Sequence, residues 1–526
     1  MRSTSARSDV NFTTSHVYHF RLTSAISRTG RGWRGRISKN EGVNWGRQWY
    51  KRCMSDCCLK SVPQSDSSYE TFAQPVAEWQ ARLTAGLNQS IEAVNQTLGD
   101  MEEQILRQTQ GLERKLLEEA AQKKAQQTPP LCPVCGHRLS RRTHDHERTF
   151  HTRFGPVTVK RLRGWCGRCK AWRYPADQAM GLSDTGGASP SVQEMAALTV
   201  SKMPVKEASA VIERLTGVKL PPATLDREAR RQGQRADKKR AQLDEQMRTS
   251  QSSQQMLPLP KEPFTLVIEL DAWNIRERDD WGQSERKRAA GQEPQRWHWT
   301  YGGTCFRLDQ CVESDRGRAR ILSRGTVMTR GGVDDLRDQL FAEAQRHGLA
   351  QADKVLVIAD GALWIWNLAG DRFAQAQQRL DYYHASQHLW AVAHALHPED
   401  EAAARNWIKP LLKKLKAGRA AALLNDLRTL TKRLRQKKRQ AVQAELNYLE
   451  SHRQRMDYAA ARAAGQPQGS GAMESTCRQY QCRFKRPGQF WSCQGDEGLM
   501  CLETFWRNNR WHLLFPHILH GDPRRN

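Results

Sequence analysis

The chain lacks any run of about 18 consecutive apolar residues, so a membrane-spanning helix is excluded. Its opening, MRSTSARSDVNFTTSHVYHF, has no apolar stretch of the signal-peptide kind, and no secretory signal is expected. Acidic residues are the scarce charge: 56 Asp and Glu stand against 83 Lys and Arg, leaving a formal net charge of +27. Such an excess points to a polyanion as partner, nucleic acid first. Hydrophobic residues are only 38%, yet they cluster enough to build cores. Without secretion, the 13 cysteines fall in a reducing compartment and read as thiols or metal ligands, not as a disulfide framework. The expected location is the cytoplasm, with no membrane partner. A length of 526 residues predicts about three or four domains.

Composition shifts along the chain divide it. Residues 1–70 are rich in Ser, Arg, Thr and Gly without periodicity, and read as disordered or as an extension ahead of a start at Met54 or later. Cys53, Cys57 and Cys58 have no second pair nearby to complete a metal site. Residues 76–127 predict one long amphipathic helix, with Ile91, Val94, Leu98, Met101, Ile105, Leu112 and Leu116 on one stripe, suited to a domain core or a dimer contact. Pro129 and Pro130 end it.

Residues 128–180 contain Cys132-Pro-Val-Cys135 and Cys166-Gly-Arg-Cys169, two knuckles able to present four thiolates tetrahedrally. Between them PVTVKRLRGW alternates like a strand, so a structural zinc ribbon is expected; His144, His146 and His151 are rival ligands. A closed site of this kind serves folding and DNA docking, with Arg161 and Arg163 placed for phosphate contact. Residues 186–245 resemble a helix-turn-helix, with Thr224, Arg227 and Arg230 on the helix that would meet DNA.

From residue 262 short apolar strands alternate with helices. Phe264–Leu270 is an apolar run ending in Asp271, and Val355–Ala359 is a second, ending in Asp360. A charge at the end of a buried strand needs solvent, a partner or a metal. A third carboxylate, Glu474, follows the flexible Gly469-Ser-Gly entry to a helix. Three clustered carboxylates repel unless cations lie between them. Their hard oxygens suit Mg²⁺ or Mn²⁺, two ions clamping an in-line phosphoryl displacement. Glu269 lies two residues before Asp271 on the same strand face, and Asp279 and Asp280 are weaker rivals. Residues 262–385 and 467–520 thus read as two parts of one core, separated by a basic helical stretch at 386–462. Near the end, Arg483, Lys485, Arg486 and Trp491 interleave charge with rings and suit phosphate grip and base stacking.

The blocks ADGALWIWNLA, LDYYHASQHLW, GSGAMES and RFKRPGQFWS resemble successive blocks of bacterial insertion-sequence DDE transposases of the ISKra type, related to Mutator-like elements. The resemblance covers about residues 125–515. It implies a multidomain α/β protein whose RNase H-like core, a mixed sheet with flanking helices, carries a helical insertion. Carried over, the Asp, Asp, Glu triad is Asp271, Asp360 and Glu474, with Asp381 and His384 supporting strand binding or proton transfer. Related proteins have Gly after the first Asp, where this chain has Ala272. The activity implied is metal-dependent cleavage at element ends and strand transfer into target DNA by a homo-oligomer, a dimer or larger, on paired terminal inverted repeats. Two alternatives fit part of the sequence: a non-catalytic zinc-ribbon DNA-binding regulator, and an RNase H-like nuclease without strand transfer.

Overall fold

The computed structural model describes residues 70–92, 95–182, 186–249, 262–277, 283–294, 296–313, 319–492 and 495–516. The expectations for residues 1–69, including Cys53, Cys57 and Cys58, and for Asp279 and Asp280 lie outside them. Among the described residues no helix is long and apolar enough to cross a membrane.

The single helix expected over 76–127 is two, α1 (Glu70–Glu92) and α2 (Leu98–Gln127). The break has a local cause. Thr97 starts α2 with a capping box: its hydroxyl accepts from the Asp100 amide at 3.3 Å, and its own amide donates to Asp100 Oδ2 at 2.8 Å. Leu98 is left 74% exposed, so the apolar stripe does not continue across the junction.

α2 lies along a hairpin, β1 (Ser140–Thr152) and β2 (Gly155–Cys166), whose far end adds the short β3 (Ala171–Arg173). β2 would present a free edge over residues 156–162, and α2 covers it. Glu118 accepts from the Thr158 amide at 3.0 Å, and Gln122 both accepts from and donates to the Lys160 backbone at 2.9 Å.

After the short α3 (Pro175–Ala179) come α4 (Pro190–Lys202), α5 (Val205–Thr216) and α6 (Pro222–Thr249). These helices do not form a core of their own. Val192, Ala196, Val200, Leu225 and Ala229 share one apolar cluster with Met473, Tyr480, Phe484, Leu502 and Phe505 from the end of the chain. α6 crosses α16 (Glu497–Arg507) at the closest range two helices allow: a β-carbon at Gly233 would lie 2.8 Å from the Gly498 Cα.

The central sheet has five strands in the order β10-β9-β4-β5-β8. β4 (Thr265–Arg276), β5 (Trp297–Arg307) and β8 (Arg324–Thr329) are antiparallel neighbours. The small α7 (Ser284–Ala289) and the β6–β7 pair (Cys311–Glu313, Ala319–Ile321) lie in the connections. α8 (Val333–Arg346) then leads to β9 (Lys354–Ala359), which runs parallel to β4, and α9 (Leu363–Arg372) leads to β10 (Gln377–Leu380), parallel to β9. The protein is therefore α/β with a mixed sheet.

Both faces of β4 are covered, which explains its continuous apolar run. Leu266, Ile268 and Leu270 join the large cluster with α8 and α9, while Val267 packs with Phe306, Leu356 and Ile358 on the other face. α10 (Tyr382–Leu396) follows β10, and α11 (Glu401–Lys416), α12 (Ala420–Arg433), α13 (Gln436–Ser451) and α14 (Tyr458–Ala463) fill the stretch before α15 (Gly471–Phe484). Leu411, Leu415, Leu423, Leu424 and Leu427 of these helices are buried in the same cluster as the sheet.

Candidate active site and a four-cysteine centre

Cys132 and Cys135 precede β1, Cys166 ends β2 and Cys169 follows it. Their four Sγ atoms all lie within 4.8 Å of one another. They are free thiols, with Cys132–Cys169 at 3.8 Å and Cys135–Cys166 at 3.5 Å. The Cys169 amide donates to Cys166 Sγ at 3.3 Å, while the neighbouring thiols push the Cys169 thiol up to about 12. At Cys132 burial would raise the thiol, but the Val134 and Cys135 amides outweigh it and hold it at about 6. Gly136, at φ +70°, closes the first knuckle from the left-handed region. Four sulfur donors fit a structural zinc ion, and the group could hold one. Among the described residues this is the group of that compactness; His144, His146 and His151 are not in it.

The carboxylates come together through strand register. β4 and β9 are parallel, with Glu269 opposite Ile358. Two residues further on, the same register brings Asp271 level with Asp360, which directly follows the last residue of β9. By alternation Glu269, Asp271 and Trp273 face the side on which α15 packs. α15 buries Met473, Thr476, Cys477, Tyr480 and Phe484 there, and Glu474 lies exposed one turn from Cys477.

Asp271 Oδ1 accepts from the Ala272 amide at 2.7 Å, and Asp360 Oδ1 from the Ala362 amide at 2.8 Å. Burial, with the charge of Asp360 added, pushes the Asp271 carboxyl above the usual carboxylate range, against the Ala272 amide, the Cys477 thiol and His384. Glu474 is paired with Arg478 at 2.5 Å. The three carboxylates do not form a group within 4.8 Å as the cysteines do.

Asp381 is buried and caps α10: Oδ1 accepts from the Tyr383 amide at 2.6 Å and the His384 amide at 3.0 Å. Its Oδ2 accepts from the amide and hydroxyl of Ser470, at 2.5 and 2.9 Å, just ahead of α15. His384 Nδ1 lies 3.5 Å from Oδ1. Asp381, reinforced by Asp360 and Asp271, holds the imidazole above its ordinary value against the effect of burial. Asp381 is thus its direct partner, and Asp360 and Asp271 act on it through their charge.

Three groups make contacts that the sequence does not announce, although it offers Glu269 and His388 as candidates beside Asp271 and His384. Glu269, considered there as a rival for Asp271, is fully buried and accepts from the Met473 amide at 2.7 Å, so it ties the start of α15 to β4. Burial, with Asp381 adding, pushes its carboxyl up to about 8. Tyr448 of α13 reaches the turn after Asp360, where a β-carbon on Gly361 would overlap its phenol. His388 stacks on that ring at 3.5 Å and pairs with Glu445 at 2.5 Å. No signal in the sequence joins positions so far apart.

Several residues expected to meet DNA are packing groups instead. Arg161 is buried, 3.2 Å from Asp177 and stacked on Tyr174. Arg483 is buried and donates twice to the Val200 carbonyl. Trp491 is buried with its indole N–H on the Phe484 carbonyl at 2.8 Å. Thr224 is buried as well. Their charge or ring satisfies the interior, which a count of basic residues does not detect. Arg163 is half-buried over Trp172, and Arg486 is half-buried against Glu207 at 3.0 Å. Arg227, Arg230 and Lys485 are exposed.

Replacing Asp381 with Asn is expected to cost about 3 kcal/mol, because an amide nitrogen would confront the two Ser470 donors inside the protein. In the wild type His384 and the Ser470 and His384 amides overcome burial and hold the Asp381 carboxyl at about 2. Its contribution is therefore present above the unfolded value near 4 and is lost as pH falls through about 2. Urea midpoints at pH 7 and pH 3 measure this: the gap between wild type and variant should narrow at the lower pH, and a gap independent of pH would contradict it.

No protein-family model matches the chain. Among curated proteins, one from Streptococcus gallolyticus named "UPF0236 protein in vanSb 3'region" is similar: 24% identical over 370 residues, which span 69% of this chain and 73% of that protein.

Proposed function

We propose that this chain is a DDE transposase of the ISKra type, with an RNase H-like core that cuts the ends of a mobile element and joins them to target DNA. One observation carries the reading. The parallel register of β4 and β9 brings Asp271 level with Asp360 at the end of two central strands, and α15, bearing Glu474, packs against β4, which supports a shared site. Mixed strand directions with helices on both faces are what an RNase H-like core requires.

Asp271, Asp360 and Glu474 would hold two Mg²⁺ or Mn²⁺ ions, which supply charge neutralisation at a phosphodiester and activate the attacking oxygen. The donors suit such ions: carboxylate oxygens, with Asp271 already disfavoured as an anion by burial and by Asp360. The protein's own residues do the rest. Asp381 fixes His384 toward the carboxylates, where the imidazole holds a scissile phosphate while protonated and takes or returns a proton as strands exchange. Glu269 fixes the start of α15, the helix that carries Glu474. The four-cysteine module and the exposed Arg227 and Arg230 would take part in recognising the element ends, and two ends call for at least a dimer.

The test uses the purified full chain, a supercoiled plasmid carrying its gene with flanking DNA, and Mg²⁺. Nicking and joining that stop on chelation are expected. Nicking without joining would leave a nuclease, and duplex binding without nicking would leave a regulator; either overturns the proposal.

A further inference from the structure

β4 does not stop at the carboxylate edge. It runs on for five residues, paired with β5 as a two-stranded ribbon: Ala272 faces Tyr301, Asn274 faces Trp299 and Arg276 faces Trp297. Residues directly opposite in an antiparallel pair share a face, so Trp297, Trp299, Asn274 and Arg276 lie on one side of the ribbon.

That side is unusual for a protein surface. Trp299 is 53% exposed and Trp297 44%. The tryptophan that the sequence offered for stacking, Trp491, is buried at the ribbon's base, where its amide donates to the Arg276 carbonyl at 3.0 Å. On the ribbon itself, Trp297 and Trp299 are the rings left in water. Cations surround them. The Arg276 guanidinium lies 5.1 Å from the Trp297 ring centre and 5.5 Å from that of Phe490. Lys485 reaches Asn274, the cross-strand partner of Trp299, at 3.4 Å. Arg296 is exposed directly before Trp297.

We infer that this ribbon, whose exposed rings lie on the side opposite Asp271, is a stacking platform for unpaired bases of a nucleic-acid strand passing the end of the sheet that carries the carboxylates. The chemistry selects the occupant. An apolar protein partner would be poorly served by Arg276, Arg296 and Lys485 beside the rings, whereas a single strand offers phosphates for the cations and a π-face for each indole. A closed duplex keeps its bases stacked inside, so the rings discriminate for strand that is open. This inference rests on the proposed function for its substrate class, and its binding test needs no cleavage.

The test is a titration, without divalent metal, of the full chain against a fluorescent oligo-dT and against a hairpin duplex of equal length. Trp297→Ala/Trp299→Ala should bind oligo-dT at least about tenfold more weakly and the duplex within about twofold of wild type. Trp297→Phe/Trp299→Phe should recover most of the loss, which separates stacking from damage to the fold. Unchanged oligo-dT affinity in the alanine variant, or equal loss for both DNAs, would overturn the inference. If the discrimination holds while the chain nicks no plasmid, the platform stands and the transposase reading falls; the converse result removes the platform alone.

Discussion

Replacing Cys166 with serine is expected to open the far end of the β1–β2 hairpin. The apolar cluster at that end is small: Cys132, Leu139 and Cys166 are its buried members, with Leu162 beside them. So little burial cannot hold two knuckles and a three-residue β3 against chain entropy. A structural zinc ion bound by four thiolates supplies apparent stabilisation of about 10–16 kcal/mol in small domains. Serine removes one soft anionic ligand and most of that. The wild-type protein should purify with zinc bound stoichiometrically, and the variant without it. Limited proteolysis should then cut between residues 130 and 173, while the sheet, which has its own core, unfolds at an unchanged temperature. Zinc-free wild type, or identical digestion of both proteins, would refute this.

Asp360→Ala should have the largest effect on activity, lowering metal-dependent strand cleavage by about 10³-fold or more, as when one member of a group acting as a unit is removed. Stability should hardly move. The side chain is half-buried, and its hydrogen bond to the Ala362 amide closes a local turn worth about 1 kcal/mol. Duplex binding should stay within about twofold, since the loss of one anion near DNA does not weaken phosphate contacts. Gel assays of cleavage and mobility shifts on the same preparations separate the two effects. Normal cleavage by the variant would end the assignment of Asp360.

What the sequence makes legible follows from how locally each feature is determined. β4 and β9 are visible because strands covered on both faces read as continuous apolar runs, and each ends in a carboxylate. The four cysteines are visible because the knuckle spacing is itself the geometry. The break between α1 and α2 was less visible: a seven-residue apolar repeat runs across it, and only the Thr97 capping box cuts it. Arg161, Arg483 and Trp491 read as surface because their partners, Asp177, the Val200 carbonyl and the Phe484 carbonyl, meet them only after folding. Glu269 and Tyr448 share this cause. Each acts on a helix or turn remote in sequence; alternation reports the strand face of Glu269, but not the α15 amide it meets.

The Asp381 bridge has one more consequence. The Tyr382 amide donates to the Gln468 carbonyl at 3.0 Å, and Asp381 grips Ser470, so the polypeptide departs from and returns to a single point beside the carboxylates. Everything from α11 to α14 is an excursion cinched at its neck. Lengthening, shortening or exchanging the outer helices would leave the neck where it is, provided Tyr448 still reached its turn. The architecture thus lets the outer helices be remodelled without realigning the carboxylates at the neck.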